Sequence, residues 1–145
     1  MVLETFCAEE TFALGKRIGA AAVPGMVFTL NGDLGVGKTV FAKGLAEGLG
    51  ITEIVNSPTF TIVQEYDSGR LPLYHLDVYR IGDPEEMEEI GYEDYFYGEG
   101  VCLIEWAELI AELIPESAIS ITIEKDETKG FDYRRVTVIG DAGLA

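Results

Sequence analysis

The run Gly32-Asp33-Leu34-Gly35-Val36-Gly37-Lys38-Thr39 constrains this chain more than any other feature. It fits G-x-x-x-x-G-K-[ST], and its flanks fit as well. The apolar run 26–30 leads into it, and a helical pattern over 38–49, closed by Gly50, leads out. Gly35 and Gly37 let the backbone curl so that its N–H groups converge on an anion. The following helix adds its positive end at the same point. In such a loop Lys38 reaches the terminal phosphates and the Thr39 hydroxyl is placed to bind Mg²⁺. A strand that turns through glycines into a helix is a unit of a layered α/β protein.

Length and charge narrow the choice. The 145 residues predict one domain spanning 1–145, large enough to bury a core without staples. The formal charge of −16 opposes tight solo binding to nucleic acid, DNA included, or to an anionic membrane. Any phosphate must therefore be held locally. Cys7 and Cys102 are far apart and lack zinc-ligand spacing, which fits a reducing cytoplasm. The first residues show no basic segment followed by an apolar one, so no signal peptide is read. No apolar stretch approaches the roughly 20 residues of a membrane span.

The remaining pattern alternates helices and strands early and pairs strands later. A helix is predicted over 9–22, with Phe12, Leu14, Ile18 and Ala22 inward and Lys16 and Arg17 outward. The runs 59–66 and 73–79 form a predicted hairpin around Asp67-Ser68-Gly69. Pro84 opens a short acidic helix over 85–90. A buried strand over 101–104 and a short helix over 107–113 follow. Runs 119–123 and 136–139 make a closing hairpin. The predicted fold is a P-loop NTPase-like three-layer α/β fold with a mixed central sheet and a C-terminal β-hairpin.

A phosphate-binding loop needs a carboxylate to hold its metal, and two strands end in one. Glu105 ends the continuous apolar run expected beside the loop strand, at the carboxyl edge where ligands bind in open α/β sheets. Asp77 ends an alternating run in which His75, Asp77 and Tyr79 share a face. One acid would hold the metal while the other positions a water or a loop; a salt bridge from Asp77 to Arg80 is the structural alternative. His75, the only histidine, reads as a hydrogen-bonded structural residue, since it cannot build a zinc site alone. Ser57 and Thr59, in Asn56-Ser57-Pro58-Thr59-Phe60, are either ordinary turn residues or a loop sensing a terminal phosphate. Trp106 is a core anchor or a site-lining residue. The aromatics between Tyr92 and Tyr97 sit among acids, which favours a core or partner-docking role over stacking on bases.

Three functional classes compete. A GTPase would carry N-K-x-D, which is absent. A small-molecule kinase brings arginines to the transferred group from a lid, yet no Lys or Arg stands between Arg80 and Lys125. A partner-dependent ATPase needs no second substrate pocket. A nucleotide-gated binding module, with incidental hydrolysis, is the non-enzyme alternative.

At this point the chain resembles the TsaE family, small P-loop ATPases of bacterial tRNA threonylcarbamoyladenosine synthesis. The resemblance rests on residues 32–39, Ser-Pro-Thr-Phe at 57–60, His-Leu-Asp-Val-Tyr-Arg at 75–80, Asp-Pro-Glu-Glu at 83–86 and Leu-Ile-Glu-Trp at 103–106. It implies that Gly35, Val36, Gly37, Lys38, Thr39 and Val40 cradle ATP, that Thr39 and Glu105 coordinate Mg²⁺, and that Asp77 is needed for hydrolysis. It also implies a switch-like loop at 57–60, Thr11 beside the adenine, and a basic residue of the last hairpin, Arg134 or Arg135, near the nucleotide. The implied partners are TsaB and TsaD, with hydrolysis resetting their assembly and tRNA, modified at position 37, met only through them. One departure is Ala107, where many members have proline after the tryptophan; the affected feature is the local turn.

Overall fold

A computed structural model describes residues 1–33, 35–55 and 62–143. Its frame is one seven-stranded mixed sheet. The elements run β1 (Val2–Thr5), α1 (Ala8–Ala21), β2 (Val27–Asn31), α2 (Lys38–Gly48), β3 (Val63–Tyr66), β4 (Leu73–Asp77), α3 (Glu86–Glu89), α4 (Tyr92–Phe96) and β5 (Val101–Glu105). A 3₁₀ segment (Ala107–Leu113), β6 (Ile119–Lys125), a 3₁₀ turn (Glu127–Lys129) and β7 (Arg134–Ile139) complete the described chain. The strand order is β1-β7-β6-β2-β5-β4-β3. The four central strands β6, β2, β5 and β4 are parallel; β1, β7 and β3 join antiparallel at the margins.

Alternation along the strands sorts the core into two clusters, one on each face. Phe28, Leu30, Leu73, Leu103, Ile121 and Ile123 pack under Leu14, Ile18, Phe41 and Leu45 of α1 and α2. Val27, Leu76, Cys102 and Ile104 face the other way, against Met87, Phe96 and Ile110. These are the three layers and the mixed sheet that the sequence predicts. β2 lies between β5 and β6 at the centre, where both its faces are covered, which explains its unbroken apolar run.

α1 and α2 pack at very short range because glycines face each other. A Cβ on Gly44 would stand 2.1 Å from the Phe12 carbonyl oxygen, and one on Gly15 would stand 2.4 Å from that of Phe41. On α1 the buried face is Thr11, Leu14, Gly15, Ile18 and Gly19. Phe12, expected inside, is only half-buried. The buried Thr11 hydroxyl instead meets that of Thr5 at 2.7 Å.

Two elements go beyond the sequence reading. β1 adds an edge strand against β7, and the aromatics after Tyr92 form α4, with Phe96 buried and Tyr97 exposed. The segment 107–113 is 3₁₀ rather than α-helical, with a kink at Ile110 (φ −129°, ψ 33°).

Candidate functional site

β2 delivers the glycine loop to the carboxyl edge of the sheet. Asn31 anchors its entry by donating to Ser120 Oγ (3.3 Å) and to the Ile121 carbonyl (3.2 Å) of β6. Gly35 (φ 81°) and Gly37 (φ 103°) lie in the left-handed region, which side-chain-bearing residues avoid. Gly37 is the N-cap of α2, and its carbonyl accepts from Phe41 N (3.0 Å). The free end of α2 therefore points its N–H groups and its positive pole into the loop, an arrangement that attracts an anion.

The parallel register of β4 and β5 sets Asp77 opposite Glu105 and His75 opposite Leu103. Alternation puts Glu105 on the α2 side of β5, where α2 starts with Lys38. The result is a line of polar groups. His75 Nε2 lies 2.7 Å from Glu105 Oε2, and Lys38 Nζ lies 3.7 Å from Oε1. His75 is 1% exposed and Glu105 7%. Burial alone would raise the Glu105 carboxyl. The hydrogen bond from His75, the attraction of that imidazole when protonated and the Lys38 ammonium outweigh burial and hold it below its ordinary value.

Beside this line is a hollow of about 370 Å³, walled by Gly35, Gly37, Lys38, Thr39, Val40, Asp77, Glu105 and Trp106. Asp77 turns one oxygen, Oδ1, to the Tyr79 backbone N–H (3.0 Å), and no ion pair with Arg80 is found among the described residues. Trp106 adopts a left-handed backbone (φ 63°), the only non-glycine to do so among the described residues. Its ring lies 5.4 Å from Lys38 Nζ and 4.8 Å from the ring of Tyr79. Trp106 is therefore a site-lining residue and is more than one-third exposed.

On the other side of the loop a second hollow, about 210 Å³, is bounded by Ala8, Thr11, Val36, Asp132 and Arg134 and shares Gly35, Gly37 and Val40 with the first. Arg134 Nε donates to the Val36 carbonyl (2.7 Å), while Nη1 holds the carbonyls of Phe131 (3.0 Å) and Tyr133 (2.6 Å). Arg135 points elsewhere and pairs with Glu124 (3.5 Å). Of the two hairpin arginines, the structure brings Arg134 to the loop. Ser57 and Thr59 lie outside the described residues.

The structure thus gathers Lys38, Thr39, Asp77, Glu105 and Trp106 in one hollow and Thr11 and Arg134 in its neighbour. Sequence reasoning gave Tyr79 a face but no role, and did not single out Asp132 or Asn31. Period-two alternation places Tyr79 on the His75 and Asp77 face, but no local pattern brings Asp132 to the loop.

The oxygens of Thr39, Asp77 and Glu105 are hard donors suited to Mg²⁺. Among the described residues no three His, Cys, Asp or Glu side chains group as a metal site. A small ion here would therefore draw most of its ligands from a bound phosphate and water, the usual arrangement for Mg²⁺. Among the described residues no helix is long and apolar enough to cross a membrane.

Comparison with known proteins places the chain in a family. The family profile "Threonylcarbamoyl adenosine biosynthesis protein TsaE" matches residues 6–136. The tRNA threonylcarbamoyladenosine biosynthesis protein TsaE of Bacillus subtilis is 57% identical over 129 residues, 89% of this chain and 78% of that protein. The protein of the same name from Treponema pallidum is 47% identical over 116 residues, covering 80% of this chain and 85% of that one. The crystal structure of Bacillus subtilis YdiB superposes with a TM-score of 0.81 at 49% identity, over 95% of this chain and 83% of that chain. Identity at this level over this much of the chain means that the protein belongs to the TsaE family.

Proposed function

We propose that this chain is the Mg²⁺-dependent ATPase of the machinery that makes N6-threonylcarbamoyladenosine at tRNA position 37. In this reading it works in the cytoplasm and cycles ATP to reset a complex of TsaB and TsaD, which handle the tRNA. The names of its relatives support the pathway. The observation that carries the catalytic part is the meeting of Lys38 and Thr39 with two strand-end carboxylates around one hollow.

Each residue then has a role. Loop amides at 35–40 and the α2 N-terminus bind the phosphates. Lys38, drawn to Glu105 in the free protein, turns to the terminal phosphates. Thr39 and Glu105 would hold Mg²⁺, which when bound offsets charge on the phosphate oxygens. Asp77, with one oxygen fixed on its own turn, orients the attacking water with the other. Trp106 walls the hollow and limits bulk water, with the Tyr79 ring packed against it from outside. Arg134 fixes the loop through the Val36 carbonyl, and Thr11 borders the hollow where the adenosine end of ATP fits.

The test is a reconstituted tRNA modification assay followed over many turnovers, with ATP hydrolysis recorded in parallel. Slow hydrolysis by the chain alone, stimulation by TsaB and TsaD, and loss of repeated modification without the chain are expected. Unchanged hydrolysis in a complex shown to form would overturn the partner-dependent reading.

A further inference from the structure

His75 is a costly residue to bury where it stands. It is 1% exposed, and its Nδ1 is buried without a hydrogen-bond partner among the described residues. A buried polar atom left unmet destabilises a core, and an apolar side chain of similar size avoids that cost. The other ring nitrogen makes the only side-chain bond found for this residue among the described ones, to Glu105 Oε2 at 2.7 Å. A carboxylate only accepts, so Nε2–H is the donor.

That bond divides the carboxylate. Oε2 is committed to the imidazole, and Oε1 is the oxygen that faces Lys38. The strand register holds the imidazole itself, since His75 lies mid-strand in β4 between β3 and β5. Glu105, in contrast, ends its strand and is followed by the left-handed Trp106. Its side chain has three rotatable bonds, so a bond from a donor held mid-strand can set the direction of its two oxygens.

We propose that His75 is a positioning residue: its Nε2–H locks the Glu105 carboxylate so that a single oxygen, Oε1, is presented to the phosphate end of the hollow. This rests on the reading of Lys38, Thr39 and Glu105 given above. Presentation of one oxygen suits Mg²⁺, which takes few carboxylate ligands in a strict octahedron.

The test uses the whole chain and three variants, His75→Leu, His75→Gln and Glu105→Gln. Single-turnover ATP hydrolysis is measured against Mg²⁺ concentration, together with ATP affinity in the presence of a chelator and thermal melting. Leucine removes the donor, whereas the glutamine amide nitrogen reaches close to the place of Nε2. For His75→Leu the expected result is a hydrolysis rate at least about tenfold lower and a half-saturating Mg²⁺ at least about fivefold higher. Its metal-free ATP affinity should be little changed; melting, on which relief of the unmet Nδ1 and loss of the bond to buried Glu105 act in opposite directions, serves to show that the variant folds. His75→Gln should recover most of both losses. In metal-free, nucleotide-free protein, ¹⁵N-histidine NMR should show a slowly exchanging Nε2–H resonance that moves in Glu105→Gln.

A folded His75→Leu with rate and Mg²⁺ dependence within about twofold of the parent overturns the proposal. So does an Nε2–H resonance indifferent to Glu105→Gln. If His75→Leu does not fold, His75→Gln decides: near-parental Mg²⁺ dependence supports the proposal, and a defect equal to that of Glu105→Gln overturns it. Parental hydrolysis in Glu105→Gln itself overturns the underlying reading of the site, whereas a slow Glu105→Gln beside a normal His75→Leu overturns positioning alone.

Discussion

Lys38 stands between two partners in the free protein, the Glu105 carboxylate and the Trp106 ring. Lys38 belongs to neither hydrophobic cluster and Glu105 keeps its His75 bond, so Lys38→Ala should fold, melting somewhat lower because a nearly buried carboxylate loses an ion partner. Removing a charged donor from phosphate costs about 1.5–3 kcal/mol, so ATP affinity should fall by about 10–100-fold. Calorimetric titration beside thermal melting checks both; parental affinity would exclude the assigned role. Cys102 presents the opposite case. It is fully buried, its Sγ–H donates to the Tyr95 carbonyl (3.0 Å), and burial pushes its pKa up to about 12. A thiol harder to ionise when folded adds stability below its ordinary value of 9.0, and that part is lost as pH rises toward 12. Chemical denaturation between pH 8 and 11 should show this loss. At pH 8 an alkylating reagent should modify Cys7 alone in the native protein and both thiols after unfolding. At this scale the sequence identified Lys38, Thr39, Asp77 and Glu105, because a loop pattern and strand-end acids are local. It assigned His75 a generic structural part, because its partner is 30 residues away.

Helices α1 and α2 show how an element depends on what it meets. Alanine in place of a helical glycine favours an isolated helix by about 0.5–1 kcal/mol. At Gly44 the added Cβ would overlap the Phe12 carbonyl at 2.1 Å, and overpacking costs about 1–3 kcal/mol. The overlap is with backbone, which cannot turn aside, so Gly44→Ala should destabilise. A urea melt with a lower midpoint and unchanged slope is the expected outcome; a raised midpoint would show that the helices can separate at small cost. The C-terminal end of α1 has no basic residue in its last turn. Arg70, distant in sequence, donates to the Gly19 (2.7 Å) and Ala20 (2.9 Å) carbonyls instead. The helix itself was legible from its apolar spacing. Its cap was not, because the capping group arrives from the turn between β3 and β4. Strand β1 escaped the sequence reading for a related reason: four residues at a sheet edge carry little pattern until β7 is there to pair with them.

Across the whole molecule, charge is divided by layer. Half of the 26 acids and none of the ten bases fall in residues 83–124, which supply α3, α4 and the 3₁₀ segment on one face of the sheet. Most of these acids are exposed. Under the proposed function, this face meets a basic partner surface, and affinity for TsaB and TsaD should fall at least severalfold between 50 and 300 mM salt. Binding indifferent to salt would assign the acids to solubility alone. The sequence by itself determined the layered α/β class, the phosphate-type loop and the two acids that end β4 and β5, because period-two and period-3.6 patterns and glycine turns are properties of neighbouring residues. Only the tertiary structure decided which groups share a site. Parallel register set Asp77 beside Glu105, the α2 start brought Lys38 to Glu105, and the hairpin turned Arg134 rather than Arg135 toward the loop. The physical reason is that strand order and side-chain direction arise from packing both faces of one sheet at once, a condition that no short stretch of chain contains.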